Sequence, residues 1–223
     1  MRNISVSPGE YYHIFNRGVN KQSIFLDDFD KVRFLFLVLF FQSSITFPQI
    51  GRVISSYVKH SVFDIDDAVI KEIVKSRFVE VTSFCLMPNH FHILLKEVED
   101  GGIARYMQRV LNSYSKYFNT KYKKSGHLFQ GPYRVVHVQD DRQLMHLSAY
   151  IHKNPKKLVR SKNGEMTYKW SSYQDIAKEN RWGGLLIYSI IVDRFKDGDE
   201  YEVFVKSSAA KELENEIGDA LLD

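Results

Sequence analysis

The stretch Ser83-Phe84-Cys85-Leu86-Met87-Pro88-Asn89-His90-Phe91-His92-Ile93-Leu94-Leu95-Lys96 decides how this chain is read. Apolar residues dominate both sides of Pro88-Asn89, and that dipeptide carries turn chemistry. The stretch therefore predicts strand, tight turn, strand. Side chains alternate between faces along a strand, so His90 and His92 share one face while Phe91 points to the other. Two imidazoles at neighbouring same-face positions can hold one metal ion. A hydrogen-bonded pair of half-buried histidines is the commoner meaning of such a pattern.

Working outward, the β-branched and aromatic run 79–85 leads into this hairpin. Upstream, Tyr11-Tyr12-His13-Ile14-Phe15-Asn16 predicts a first strand, ended by the turn chemistry of Asn16-Arg17-Gly18. Asp27 or Asp28 suits an N-cap for a helix over 29–42, so densely apolar that it must be largely buried. Pro48 and Gly51 break the pattern in 43–76. That segment reads as a small helical insertion, with helices over 52–62 and from Asp66-Asp67 to Lys75.

Downstream, Asp100-Gly101-Gly102 interrupts the chain before a long helix over 103–122. Tyr106, Val110, Tyr114 and Tyr117 recur there at helical spacing, the mark of a core stripe. A strand follows over 133–138, then a helix capped by Asp140 or Asp141. Pro155 disfavours helical geometry at the residue before it, so this helix should end near Asn154. Tyr150 and Asn154 are four apart and share a helix face. Tyr168 to Tyr173 reads as a packing segment. The expected organisation is α+β: one domain over 1–173 carrying the 43–76 insertion, and a C-terminal extension over 174–223.

Composition sets outer limits. At 223 residues, 44% hydrophobic and 26% charged, the chain has the makeup of a globular domain with room for a large core. The single cysteine, Cys85, excludes an internal disulfide framework and a cysteine-based zinc site. The longest apolar run, 34–41, is far short of a membrane span. Residues 1–5 carry no secretory hydrophobic region. A cytoplasmic location with no membrane partner is expected.

The net charge of +4 conceals an asymmetry. Residues 103–162 hold 13 Lys and Arg against Asp140 and Asp141 alone, a balance of +11 that leaves −7 for the remainder. Acids are nearly absent from that block and aromatics are interleaved, which points to a polyanion, with nucleic acid the leading candidate. Residues 196–223 carry 3 basic and 9 acidic residues. That tail is expected to be helical, solvated, clear of nucleic acid and dispensable.

Five stretches, in order, carry a resemblance: Phe15-Asn16-Arg17-Gly18, Leu86-Met87-Pro88-Asn89-His90-Phe91-His92, Ser125-Gly126-His127-Leu128-Phe129-Gln130-Gly131, Tyr150-Ile151-His152-Lys153-Asn154-Pro155 and Trp170-Ser171-Ser172-Tyr173. Together they resemble the REP-associated tyrosine transposases, among the HUH single-tyrosine transposases of bacterial insertion sequences. The resemblance implies a central antiparallel sheet with packed helices, ferredoxin-like in outline. It implies an enzyme that nicks single-stranded or hairpin DNA through a 5′-phosphotyrosine and rejoins strands by the reverse step. His90 and His92 match the paired histidines, Tyr150 the nucleophile, and Asn154 the polar residue that completes a divalent metal site.

Mg²⁺ or Mn²⁺ suits phosphate chemistry, and imidazole ligands favour Mn²⁺ as the tighter binder. Arg17, Lys121, Lys123, Lys124, Arg134, Lys156, Lys157 and Arg160 are the expected DNA contacts. A tyrosine titrates near pH ~10, so its proton needs an acceptor. His146 and Lys153 flank Tyr150 by one turn, although both positions read as ordinary helix surface. Two departures stand out: Pro132 occupies a place where a basic residue is expected, and the 43–76 insertion replaces a short connection. The insertion could add a DNA-binding or homodimer surface, or merely decorate the edge. Two other readings stay open at this point: a nucleic-acid-binding module without catalysis, and a metal-dependent hydrolase that uses His90 and His92 but no tyrosine.

Overall fold

Pro88-Asn89 turns the chain between two antiparallel strands, β2 (Val79–Met87) and β3 (His90–Glu97), as the alternating pattern requires. The computed structural model describes residues 6–159 and 164–208. β1 (Tyr11–Arg17) lies antiparallel to the other edge of β3, with Phe15 opposite His92 and Arg17 opposite His90. β4 (Arg134–His137) closes the sheet against β1, with Arg134 opposite Phe15. The strand order is β2-β3-β1-β4. Helix α1 (Asp28–Phe40) crosses from β1 towards β2, and α4 (Gly102–Tyr122) joins β3 to β4. The path is therefore β-α-β-β-α-β with β3 between β1 and β2, the ferredoxin-like split. The expected α+β class and antiparallel sheet hold.

Helix α1 explains much of the remaining architecture. Asp27 and Asp30 form a reciprocal capping box at its start. From Phe34 to Leu39 every side chain is fully buried. A helix apolar all round has to be covered on every side. The sheet and α4 cover only part of it. The insertion supplies another wall through α2 (Ile50–His60) and α3 (Asp67–Lys75), joined by a segment holding Phe63. Phe63 packs on Phe36 and Phe40 with ring centroids 5.5 and 5.3 Å apart, and on Tyr57 at 4.2 Å. Trp182 joins the same cluster. The insertion is thus continuous with the main core.

The opposite face of the sheet is covered by α5 (Asp141–Lys153), with α6 (Tyr173–Ala177), α7 (Ser189–Val192) and α8 (Gly198–Ser207). Cys85, Met87 and Leu94 meet Leu144, Leu147, Ile151, Tyr173, Tyr201 and Val205 there. This corrects the expectation that the chain beyond Lys196 is solvated. Tyr201 and Val205 are fully buried, one helical turn apart on α8. Net charge hid this stripe because Asp199 and Glu200 stand exposed on the same helix. Gly198 makes the docking close: a Cβ there would stand 1.9 Å from the Ala177 carbonyl oxygen. The remainder of the acidic tail, 209–223, lies outside the described residues. No helix among the described residues is long and apolar enough to cross a membrane.

Candidate active site

The alternation of β3 puts His90 and His92 on the face that α5 covers, while Phe91, Ile93 and Leu95 enter the core beneath α1 and α4. The two imidazoles sit with centroids 5.1 Å apart. On α5, the 3.6-residue period holds Tyr150 and Asn154 one turn apart, both half-buried. Helical backbone continues through Asn154 into a 3₁₀ turn over Asn154–Lys157.

The two elements meet. The Asn154 amide oxygen lies 3.2 Å from Nε2 of His90. The Tyr150 ring lies edge-on to His92, 5.4 Å between centroids. Asn89 fixes His90 from the other side, its amide oxygen 2.7 Å from Nδ1.

One residue at this site escaped the sequence reading. His13, on the same face of β1, shares a 2.9 Å hydrogen bond with His92, between its own Nε2 and Nδ1 of His92. The two rings stack at 5.1 Å, and the His13 ring lies 6.3 Å from that of Tyr150. The alternation of Tyr11-Tyr12-His13-Ile14-Phe15 does mark His13 as a polar residue on a buried face. Strand order and register, which place it beside His92, are not local properties of either segment.

Burial fixes the charge state. It lowers the pKa of His90 and of His92, and pushes His13 down to about 3. Arg17 adds to the effect at His90, and the other two histidines add to it at His92. All three rings are therefore neutral near pH 7, the form in which imidazole ligates metals.

The donor set suits a divalent cation. Nε2 of His92 is buried with no hydrogen-bond partner, and Nε2 of His90 converges with the Asn154 amide oxygen. Among the described residues no group of three His, Cys, Asp and Glu side chains stands at ligand spacing. An ion here would therefore depend on the amide oxygen as third protein ligand.

The tyrosines of α4 are structural. Tyr106 donates to the Val38 carbonyl at 2.8 Å and Tyr114 to that of Ile24, and burial raises both pKa values well above 10. The proposed proton acceptors beside Tyr150 belong to α8 contacts. His146 meets the Ser208 hydroxyl at 3.1 Å, and Lys153 donates to the Ser208 carbonyl at 2.7 Å. The helix face opposite Tyr150 and Asn154 is also anchored. His152 is buried between the Tyr201 hydroxyl (2.7 Å) and the Ser172 hydroxyl (2.9 Å) and stacks on Tyr173 at 5.1 Å. Ser172 in turn accepts from the Phe84 amide on β2 at 2.9 Å. The Trp170-Ser171-Ser172-Tyr173 segment thus links β2 to the helix that carries Tyr150.

The basic residues divide. Arg17 ends β1 opposite His90 and donates to Gln130. Arg134 opens β4 at the same end of the sheet, and Lys123 and Lys124 are exposed just past α4. The segment after α4 is tied to that end by the Val19 amide on the Leu128 carbonyl (3.0 Å) and the Gln130 amide on the Arg17 carbonyl (2.9 Å). Lys156 is exposed in the 3₁₀ turn after Asn154. Lys121 differs: its ammonium pairs with Asp27 (2.7 Å) and with buried Asp30 (2.8 Å), so its charge is already answered within the fold. The Lys157 side chain and Arg160 lie outside the described residues.

Comparison with known proteins bears on this arrangement. Residues 53–154 match the family model described as "Transposase IS200 like", a span that contains His90, His92, Tyr150 and Asn154 and excludes His13 and Arg17. No curated protein sequence matches. A solved structure of a REP-associated tyrosine transposase bound to a REP hairpin is similar at 13% identity and a TM-score of 0.48, over 89% of this chain and 95% of that one. Across the segment that carries its paired histidines, its tyrosine and its asparagine, this chain resembles the IS200-like transposases.

Proposed function

We propose that this chain is a transposase-like enzyme that nicks and rejoins single-stranded hairpin DNA through a covalent tyrosine intermediate. The observation that carries the reading is the convergence of Tyr150 and Asn154, from one turn of α5, on His90 and His92 of β3. A nucleophile and a ligand on one rigid turn keep their spacing, and misplacement by ~1 Å at a reacting centre can cost roughly 10²-fold.

In the forward step the Tyr150 oxygen attacks a backbone phosphorus. The P–O bond to the 3′ oxygen breaks as the bond to tyrosine forms, the phenol proton passes to solvent, and the departing 3′ oxygen takes up a proton. The 5′ phosphate is left on Tyr150. Attack by a 3′ hydroxyl on that ester reverses the step, so bond energy is conserved and rejoining needs no nucleotide cofactor. Mg²⁺ or Mn²⁺ held by His90, His92 and Asn154 would neutralise phosphate charge. Arg17, Lys123, Lys124, Arg134 and Lys156 are the basic residues assigned to the strand in this reading. Lys157 and Arg160 follow Lys156 in sequence and belong to the same proposal; Lys121, already paired, drops out of it.

The test is denaturing electrophoresis after incubation with labelled hairpin DNA and Mn²⁺. The unaltered protein is expected to give a protein–DNA adduct. Tyr150→Phe should bind the hairpin and give none, while Tyr117→Phe should give it. An adduct surviving in Tyr150→Phe would place the nucleophile elsewhere. Cleavage by the unaltered protein without an adduct would indicate a hydrolase, and binding without cleavage a recognition module.

A further inference from the structure

We propose that His13 is a positioning residue: it accepts a hydrogen bond from Nδ1–H of His92 and so turns the Nε2 lone pair of His92 toward the metal position. The inference rests on the metal reading above and adds a residue outside the segment that resembles the transposase family.

The argument starts from the two rings. His13 and His92 are both buried, and one 2.9 Å hydrogen bond joins Nε2 of His13 to Nδ1 of His92. The outer nitrogens, Nδ1 of His13 and Nε2 of His92, have no hydrogen-bond partner. Two neutral imidazoles sharing one hydrogen bond have two arrangements. Either arrangement leaves one buried N–H unpaired, on Nε2 of His92 if His13 donates and on Nδ1 of His13 if His92 donates, so ligation separates them: in the first, Nε2 of His92 carries a proton and is useless as a ligand. If His92 donates from Nδ1, its Nε2 presents a lone pair on the face shared with His90 and Asn154. Only the second arrangement lets His92 ligate, and there a bound ion would meet the otherwise unpartnered Nε2 of His92.

The partner on Nδ1 of His92 is His13, so His13 is the ring placed to set this tautomer. Phe15 stacks on His92 at 5.8 Å and lies tilted against His13 at 4.7 Å, and it offers no lone pair. His90 is engaged by Asn89 and Asn154. The contact is also held rigidly, because His13 and His92 lie on adjacent paired strands in a fixed register. Metal-ligating histidines in general have their second nitrogen held by such an acceptor, and loss of the acceptor typically costs 10- to 100-fold in metal affinity.

The experiment compares the unaltered protein, His13→Leu and His13→Gln. Leucine fills the space without an acceptor, and glutamine restores an oxygen acceptor. Mn²⁺ affinity is read by calorimetry without DNA, and the His92 tautomer by ¹⁵N-edited NMR of the metal-free protein. His13→Leu should weaken Mn²⁺ binding about 10- to 100-fold and abolish the preference for the Nδ1–H form. His13→Gln should return both to near the unaltered values. Thermal midpoints of the metal-free proteins identify any variant that fails to fold, and the NMR result on the unaltered protein stands regardless. A protonated Nε2 on His92 in the unaltered protein overturns the inference, as does equal Mn²⁺ affinity across all three proteins. An unaltered protein that binds no Mn²⁺ overturns the metal reading itself, and this inference with it.

Discussion

Asn154 joins the two halves of the candidate site. Its amide oxygen faces Nε2 of His90 at 3.2 Å, and its position on the turn above Tyr150 is held by helical backbone that runs past it. A neutral amide oxygen adds no charge to an ion bound there, which leaves the ion's charge for phosphate. Asn154→Ala is expected to lower Mn²⁺ affinity by at least about 10-fold and to lower adduct yield in parallel. Its stability should fall by only about 1 kcal/mol, because the side chain is half-buried and gives up its 3.2 Å contact with His90 and one long hydrogen bond within its helix. Calorimetry with Mn²⁺ and a urea titration check the two halves, and undiminished Mn²⁺ affinity would remove Asn154 from the ligand set. Lys121 carries the opposite lesson. Its sequence neighbours Lys123 and Lys124 are exposed, yet Lys121 itself closes a network of Asp27, Asp30, Tyr117 and Tyr122 at the start of α1. Asp30 is a fully buried carboxylate, so removing its cationic partner leaves an unpaired buried charge, which costs roughly 3–5 kcal/mol. Lys121→Ala should therefore destabilise the fold by an amount of that order, discounted because Lys121 is itself partly exposed. The paired substitution Lys123→Glu, Lys124→Glu should leave stability near its original value while weakening hairpin binding most at low salt. Equal effects of the two changes on DNA binding and on urea midpoints would erase the distinction.

At the scale of elements, α5 is held between two partners. One face presents Tyr150 and Asn154 to β3. The other is fastened through His152 to Tyr201 of α8 and to Ser172, and through Lys153 to the C-terminal end of α8. Tyr201→Phe would leave Nδ1 of the buried His152 without its partner, at a cost of roughly 1–3 kcal/mol. Gly198→Ala would force α8 away from the Ala177 carbonyl and should destabilise by a similar amount. Deletion from Asp197 onward removes both contacts and uncovers Leu144 and Leu147. That truncated chain should unfold at a clearly lower temperature, whereas deletion after Ser208 should leave α8 in place and preserve adduct formation. Melting curves of the two truncations are the check, and a normal melting temperature without α8 would show that α5 does not need it.

At the scale of the whole molecule, the sheet separates two cores. One holds α1, α4 and the insertion, and the other holds α5 to α8. Three neutral histidines are buried at or beneath the second layer: His13, His92 and His152, with His13 and His152 pushed down to about 3 by burial. The unfolded chain would protonate these groups near pH ~6.5. Below that value the unfolded state binds protons that the folded state refuses, so stability falls as pH drops from about 6.5 towards 3 and is fully present above it. Melting temperatures at pH 7.5, 5.5 and 4.5 should decline in that order, and a flat profile would contradict neutral burial of these rings.

The sequence by itself determined the elements and the faces they present. Cap residues, proline stops and the two periodicities are local, so β3, α1, α4 and α5 fall close to their expected positions, and Asp27, Asp66 and Asp140 serve as N-caps. The same local rules put His90 with His92, and Tyr150 with Asn154. What only the tertiary structure decided is which faces meet. His13 and His92 are 79 residues apart, and their contact exists because β1 inserts beside β3 in one register. Lys121 meets Asp30 across 91 residues, and His152 meets Tyr201 across 49. Composition misled on the acidic tail because net charge averages over a helix and a buried stripe occupies only one side of it. The insertion's place in the core follows from α1 needing cover all round, a demand visible in its sequence; the segment that follows α1 meets part of it, and Trp182 joins from far along the chain. Local periodicity sets where a side chain points; the pairing of distant segments sets what it finds there.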